Sequence, residues 1–108
     1  MTTRRKTARP EKRYWLSYDL GLRGNYESLY EWLDSQGAEE CGDSLATFNS
    51  GKTATELRDE LSLALGDTNK ARFYLIDRQK GGAFLIGKRK PAPWAGYSQS
   101  AVGNSLDR

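Results

Sequence analysis

The stretch from Tyr14 to Gly37 (YWLSYDLGLRGNYESLYEWLDSQG) decides the fold. Its first seven residues, Tyr14 to Leu20, are aromatic-rich and alternating, which predicts a strand. Tyr14, Leu16 and Tyr18 share one face of it, and Trp15, Ser17 and Asp19 the other. Gly21 and Gly24 end the strand. Asn25 then caps a helix whose apolar residues Tyr26, Leu29, Tyr30 and Leu33 follow the i, i+3, i+4, i+7 spacing. Gly37 suits the left-handed residue after a helix end.

Downstream, Ala38–Cys41 and Ser44–Asn49 read as a hairpin around Gly42-Asp43. Thr53 with Glu56 forms a capping box opening a helix with Leu57, Leu61, Ala64 and Leu65 on one stripe, closed by Gly66. Ala71–Asp77 is a third strong strand, and Gly81-Gly82 turns into a short strand at Ala83–Gly87. The order β-α-β-β-α-β plus one strand predicts an α+β, ferredoxin-like split βαβ domain over residues 13–90. Residues 1–12 are polar and basic and read as a disordered arm. Residues 91–108 form a Pro/Gly/Ser-rich tail with Trp94 and Tyr97 as its anchors. Helices on one face leave the other bare with an aromatic on it, and a second copy is the simplest cover, so a C2 homodimer is expected.

Composition removes several chemistries. The 108 residues include no histidine and one cysteine. Histidine-based triads, histidine metal sites and an internal disulfide are therefore excluded. Cys41 lies among Glu39, Glu40 and Asp43, which disfavour a thiolate, and is expected to be a small semi-buried residue. A bound metal must be a hard ion held by oxygen, such as magnesium or manganese. The chain has no apolar run of membrane length and no signal-like segment, so a cytoplasmic protein without a membrane partner is expected.

The net charge of +3 is unevenly spread. Residues 1–24 hold seven Lys/Arg against two acids, residues 25–50 six acids and no base, and residues 51–108 ten bases against six acids. Both ends can attract phosphates, and the middle is a solvated acidic face. Arg4, Arg5, Lys6, Arg9, Lys12 and Arg13, with Lys88, Arg89 and Lys90, are candidates to neutralise a nucleic-acid backbone, with Trp15, Trp94 and Tyr97 placed to stack on bases. Trp32, beside the helix stripe, reads as packing. The stretch Ala46 to Thr53 satisfies a relaxed phosphate-loop pattern, but Ala46 and Phe48 fall inside a strand, and Asn49 to Thr53 is explained as a loop plus a helix cap. Asp19 closes the first strand before a glycine loop. Two copies meeting at a dimer axis can chelate one ion, whereas a single copy can cap the loop by accepting from backbone N–H groups.

Ser17-Tyr-Asp-Leu20, Asn25-Tyr-x-x-Leu-Tyr-x-x-Leu33, Gly37, Ser44 and Thr55-Glu-Leu-Arg-Asp-Glu-Leu61 together resemble the CRISPR-associated protein 2 superfamily, above all its nuclease-like relatives outside CRISPR loci. The similarity spans roughly residues 14–77. It implies a ferredoxin-like protomer, a homodimer formed through the sheets, and contact with nucleic acid, either as a metal-dependent ribonuclease or deoxyribonuclease or as a non-catalytic DNA-binding scaffold. The family's metal aspartate matches Asp19, its hairpin serine Ser44, and an arginine after the first strand Arg23. Asp77 followed by Arg78, Lys80 and a double glycine, the long arm and the Trp-containing tail depart from the pattern. Three functions follow: a dimer binding DNA or RNA backbone without chemistry, a magnesium- or manganese-dependent endonuclease using Asp19 from both protomers, and a toxin–antitoxin or phage–host factor engaging a protein through the acidic Glu27, Glu31 and Asp34.

Overall fold

The computed structural model describes residues 9–98; Arg4, Arg5 and Lys6 of the basic arm and the end of the tail lie outside them. The chain runs β1 (Lys12–Asp19), α1 (Tyr26–Ser35), β2 (Glu39–Gly42), β3 (Leu45–Ser50), α2 (Ala54–Leu65), β4 (Arg72–Asp77) and β5 (Gly81–Ile86). All strand pairs are antiparallel, in the order β2-β3-β1-β4-β5. The four strands of the split βαβ plan, β2-β3-β1-β4, carry β5 as an added edge strand beside β4. This is the ferredoxin-like α+β sandwich that the element order predicts.

The helix starts and stops obey their local chemistry. The Asn25 side chain accepts from the Ser28 N–H at 3.1 Å, and Gly37 follows α1 with φ +70°. Thr53 and Glu56 complete the capping box, with the Thr53 N–H donating to Glu56 at 2.9 Å and the Glu56 N–H to Thr53 at 3.2 Å. Between helices and sheet lie Tyr14, Leu16, Leu29, Phe48, Leu57, Leu61 and Phe73, all essentially inaccessible. A buried leucine here contributes roughly 1.5–3 kcal/mol. Truncating Leu57 or Leu61 to alanine costs about 2–5 kcal/mol through the cavity left behind.

The helix stripes differ in detail from expectation. Trp32, not Tyr30, fills α1's third core position; its ring meets Phe48 edge-on at 5.7 Å, while Tyr30 is 53% exposed. The indole has a polar reason to be there, because its N–H reaches Glu60 at 3.0 Å. Ala64 is exposed, and Leu57, Leu61 and Leu65 alone form the α2 stripe. Cys41 is exposed rather than semi-buried, since β2 is an edge strand with a register shift between Glu40 and Gly42. Trp94 and Tyr97 are 73% and 70% exposed and do not anchor the tail.

The arm boundary also moves. Residues 9–12, assigned to the arm by composition, are tied down by partners far along the chain. Arg9 pairs with Glu56 at 2.8 Å and Lys12 with Asp77 at 3.1 Å. A Cβ at Gly51 would come within 3.1 Å of the Arg9 carbonyl, so the chain is packed there. Among the described residues no helix is long and apolar enough to cross a membrane.

Candidate nucleic-acid interface

Strand alternation sorts the sheet into two faces. Tyr14 and Leu16 on β1, Ala46 and Phe48 on β3, and Phe73 and Leu75 on β4 are buried beneath the helices. The open face therefore takes Arg13, Trp15, Ser17 and Asp19 from β1, Leu45, Thr47 and Asn49 from β3, and Arg72, Tyr74 and Ile76 from β4. The β1–β4 register sets Trp15 opposite Ile76, Ser17 opposite Tyr74 and Asp19 opposite Arg72. On β5, Phe84 lies opposite Tyr74. Their rings meet edge-to-face at 4.9 Å, and the Arg89 guanidinium sits 5.6 Å from the Phe84 ring centre. Ser17, Asp19, Arg72, Tyr74, Phe84 and Arg89 together line a shallow cavity of about 320 Å³.

Gly82 makes room for this arrangement. A Cβ there would overlap the Tyr74 ring, so the ring leans over the β5 backbone where no side chain intervenes.

Asp19 is already engaged. One carboxylate oxygen accepts from the Gly21 N–H at 3.0 Å, and the other lies 3.5 Å from an Arg72 nitrogen. The loop-capping role open to this residue from sequence is thus the one it adopts, with an ion pair added. Arg72 is not saturated by that contact: its Nε is buried and has no hydrogen-bond partner. Ser44 sits at the same sheet end as Asp19, in the β2–β3 turn with φ +57°. Its carbonyl accepts from the Tyr18 N–H at 3.0 Å, so its backbone is what the fold uses. Among the described residues no cluster of three or more Cys, Asp or Glu gathers to hold a metal.

The other expected cations separate into three groups. Arg13 is on the open face, its guanidinium donating to Thr47 at 3.3 Å. Lys88, Arg89 and Lys90 are exposed just beyond β5. Arg23 is exposed in the β1–α1 loop, away from this cluster, where Leu20, Leu65, Asn69 and Lys70 line a separate hollow with it. Arg9 and Lys12 are committed to Glu56 and Asp77 at the opposite end of β1 from Asp19. Asp77 accepts first from the Gln79 N–H and then from Lys12, which together hold its carboxyl below the usual range; the same contact raises Lys12. Glu27, Glu31 and Asp34 are exposed on α1, in the layer opposite the open face.

Lys52, the lysine of the phosphate-loop-like stretch, is structural. Its ammonium donates to Glu60 at 2.9 Å and to Gln36 at 3.3 Å, and its carbonyl accepts from the Tyr14 hydroxyl at 2.7 Å. Burial works to raise the Glu60 pKa, but the bonds from Lys52 and Trp32 outweigh it and leave the group below the usual range.

Arg72, Tyr74 and Phe84 were not singled out from the sequence. Period-two alternation in Ala71–Asp77 places Arg72 and Tyr74 on one face, and the split βαβ order makes β4 the neighbour of β1. Those two signals together would have found the first two. Phe84 depends on the β4–β5 register, which shifts between Phe73 and Tyr74.

No protein-family model, curated protein or solved structure matches this chain.

Proposed function

We propose that this chain is a nucleic-acid-associated protein that holds DNA or RNA by its backbone and performs no chemistry on it. The observation that carries the reading is the charge of the open sheet face. Three guanidinium groups, Arg13, Arg72 and Arg89, stand there against the Asp19 carboxylate, with Glu39 across from Thr47 on the far edge strand. The acidic residues of α1 lie on the other layer, so the molecule is polarised, and a polyanion approaching the sheet meets cations first. Guanidinium forks bind phosphate oxygens in paired geometry. The resemblance to the CRISPR-associated protein 2 superfamily points to the same partner.

A magnesium or manganese ion shared by Asp19 of two protomers would compete with Arg72 and the Gly21 N–H for each carboxylate, and this favours binding over cleavage. The sheet-to-sheet homodimer competes for the same face. It would bring three guanidinium groups from each copy together against one Asp19 from each, a costly desolvation. Capture of a basic protein by the acidic face of α1 uses a separate surface and is not in conflict with this reading.

The test is fluorescence anisotropy with labelled DNA and RNA oligonucleotides from about 50 to 200 mM salt. Affinity should fall log-linearly with salt. Combining Arg13→Gln, Arg72→Gln and Arg89→Gln should flatten the slope by about two to three. Binding of no oligonucleotide, or tight binding indifferent to salt, overturns the reading.

A further inference from the structure

We infer that the nucleic acid is single-stranded and lies across the open sheet face, with unpaired bases stacked on Trp15 and on the Tyr74–Phe84 pair. A backbone phosphate there replaces Asp19 as the partner of Arg72, beside Arg89. This rests on the nucleic-acid reading above and specifies which form of the polymer is bound and by which atoms.

The shape of the face supports a single strand. Both α1 and α2 pack on the other side of the sheet, so the open face presents no helix to the major groove of a duplex. A sheet can instead offer flat rings to bases already unpaired. Trp15 is half-buried on the central strand β1, and Tyr74 and Phe84 lie one and two strands away. Cross-strand neighbours are about 5 Å apart and alternate residues along a strand about 6.8 Å, so Trp15, diagonal to Tyr74 with Ile76 directly opposite it, stands within reach of a base next to one on the Tyr74–Phe84 pair.

The polar half is also present. The cavity of about 320 Å³ opens between the aromatic pair and the two guanidinium groups, Arg72 and Arg89. The Arg72–Asp19 contact is long at 3.5 Å, and Arg72 Nε is buried with no partner. A buried donor without a partner is costly, and a phosphate oxygen in this cavity gives the Arg72 guanidinium one once the side chain turns away from Asp19. Arg89, already over the Phe84 ring, can share that phosphate while its neighbour ring takes a base.

Three labelled probes test this on the full chain: an unstructured single strand, the same strand carrying interior abasic sites, and a matched duplex. The single strand should bind about tenfold or more tightly than either of the others. Trp15→Leu and Phe84→Leu, each checked for native melting, should each weaken binding of the intact single strand several-fold, and the double variant should bring it close to the abasic level. The intact strand should quench tryptophan fluorescence, and Trp15→Leu should lose that quench. An abasic strand or duplex binding as tightly as the intact strand overturns the stacking inference while leaving backbone binding in place. Failure of all three probes removes both. A protein that sediments as a dimer, with Trp15 unquenched by any probe, assigns this face to a second copy and overturns the inference.

Discussion

Asp19 and Arg72 face each other across the β1–β4 pair, with 3.5 Å between carboxylate and guanidinium, and Asp19 also caps the Gly21 N–H at 3.0 Å. An acid so placed is an internal competitor for the phosphate that Arg72 would otherwise hold. Replacing it by Asp19→Asn keeps the loop cap and releases the guanidinium, so nucleic-acid affinity should rise by a few-fold at low salt. Arg72→Gln should do the reverse, weakening binding and lowering the salt slope by about 0.7–0.9. Anisotropy titrations of both variants read these directions.

Lys52 is held by Glu60 and Gln36, and Glu60 in turn takes the Trp32 indole N–H. Lys52→Ala should therefore cost about 1 kcal/mol or less, the scale of a partly exposed pair, and leave any nucleotide affinity unchanged. Glu60→Leu should cost more, because it also strands the indole donor. Urea denaturation of the two variants measures the difference.

Thr53 satisfies the first turn of α2 through its reciprocal bonds with Glu56. Thr53→Ala should lower stability by about 1 kcal/mol, seen as a melting-point drop of roughly 4–8 °C for a domain of this size. Oligonucleotide binding should not change, since α2 packs on the face opposite the cations.

Three carboxyls, Glu56, Glu60 and Asp77, sit below their ordinary range in the folded protein. For Glu56 the largest cause is the Thr53 N–H, followed by Arg9. A depressed folded pKa means that the unfolded chain takes up protons first as pH falls. Each group's contribution is thus complete above the ordinary carboxylate range and is lost as pH drops through that range and below. Stability should be flat from neutrality down to about pH 5 and decline steeply beneath it. Asp77→Asn should make the decline shallower, and denaturation midpoints across pH settle the sign.

Much of this fold could be read from short-range chemistry. Asn25, Gly37, Thr53 with Glu56, and Gly66 mark helix ends by rules that act within a turn, and each does so in the structure. The element order then leaves few topologies. What escaped needed distance: Arg9 finds Glu56 47 positions away and Lys12 finds Asp77 65 positions away, which converts a basic arm into packed chain. Tyr30 and Trp32 are both reasonable core residues by spacing, and it is Trp32 that finds both the Phe48 ring and the Glu60 acceptor on α2. For the candidate site, Arg13, Trp15, Asp19 and Arg89 were legible individually. Their convergence with Arg72, Tyr74 and Phe84 exists only once β1, β4 and β5 lie side by side.

The most direct measurement sets Asp19→Ala beside the unaltered protein, scoring binding and cleavage of the same single strand, with magnesium or manganese and with EDTA. A strand left intact throughout, bound by the variant at least as tightly as by the parent and regardless of EDTA, is the expected result. Metal-dependent cleavage by highly purified protein that disappears in Asp19→Ala would contradict a binding role without chemistry and restore Asp19 as an ion ligand.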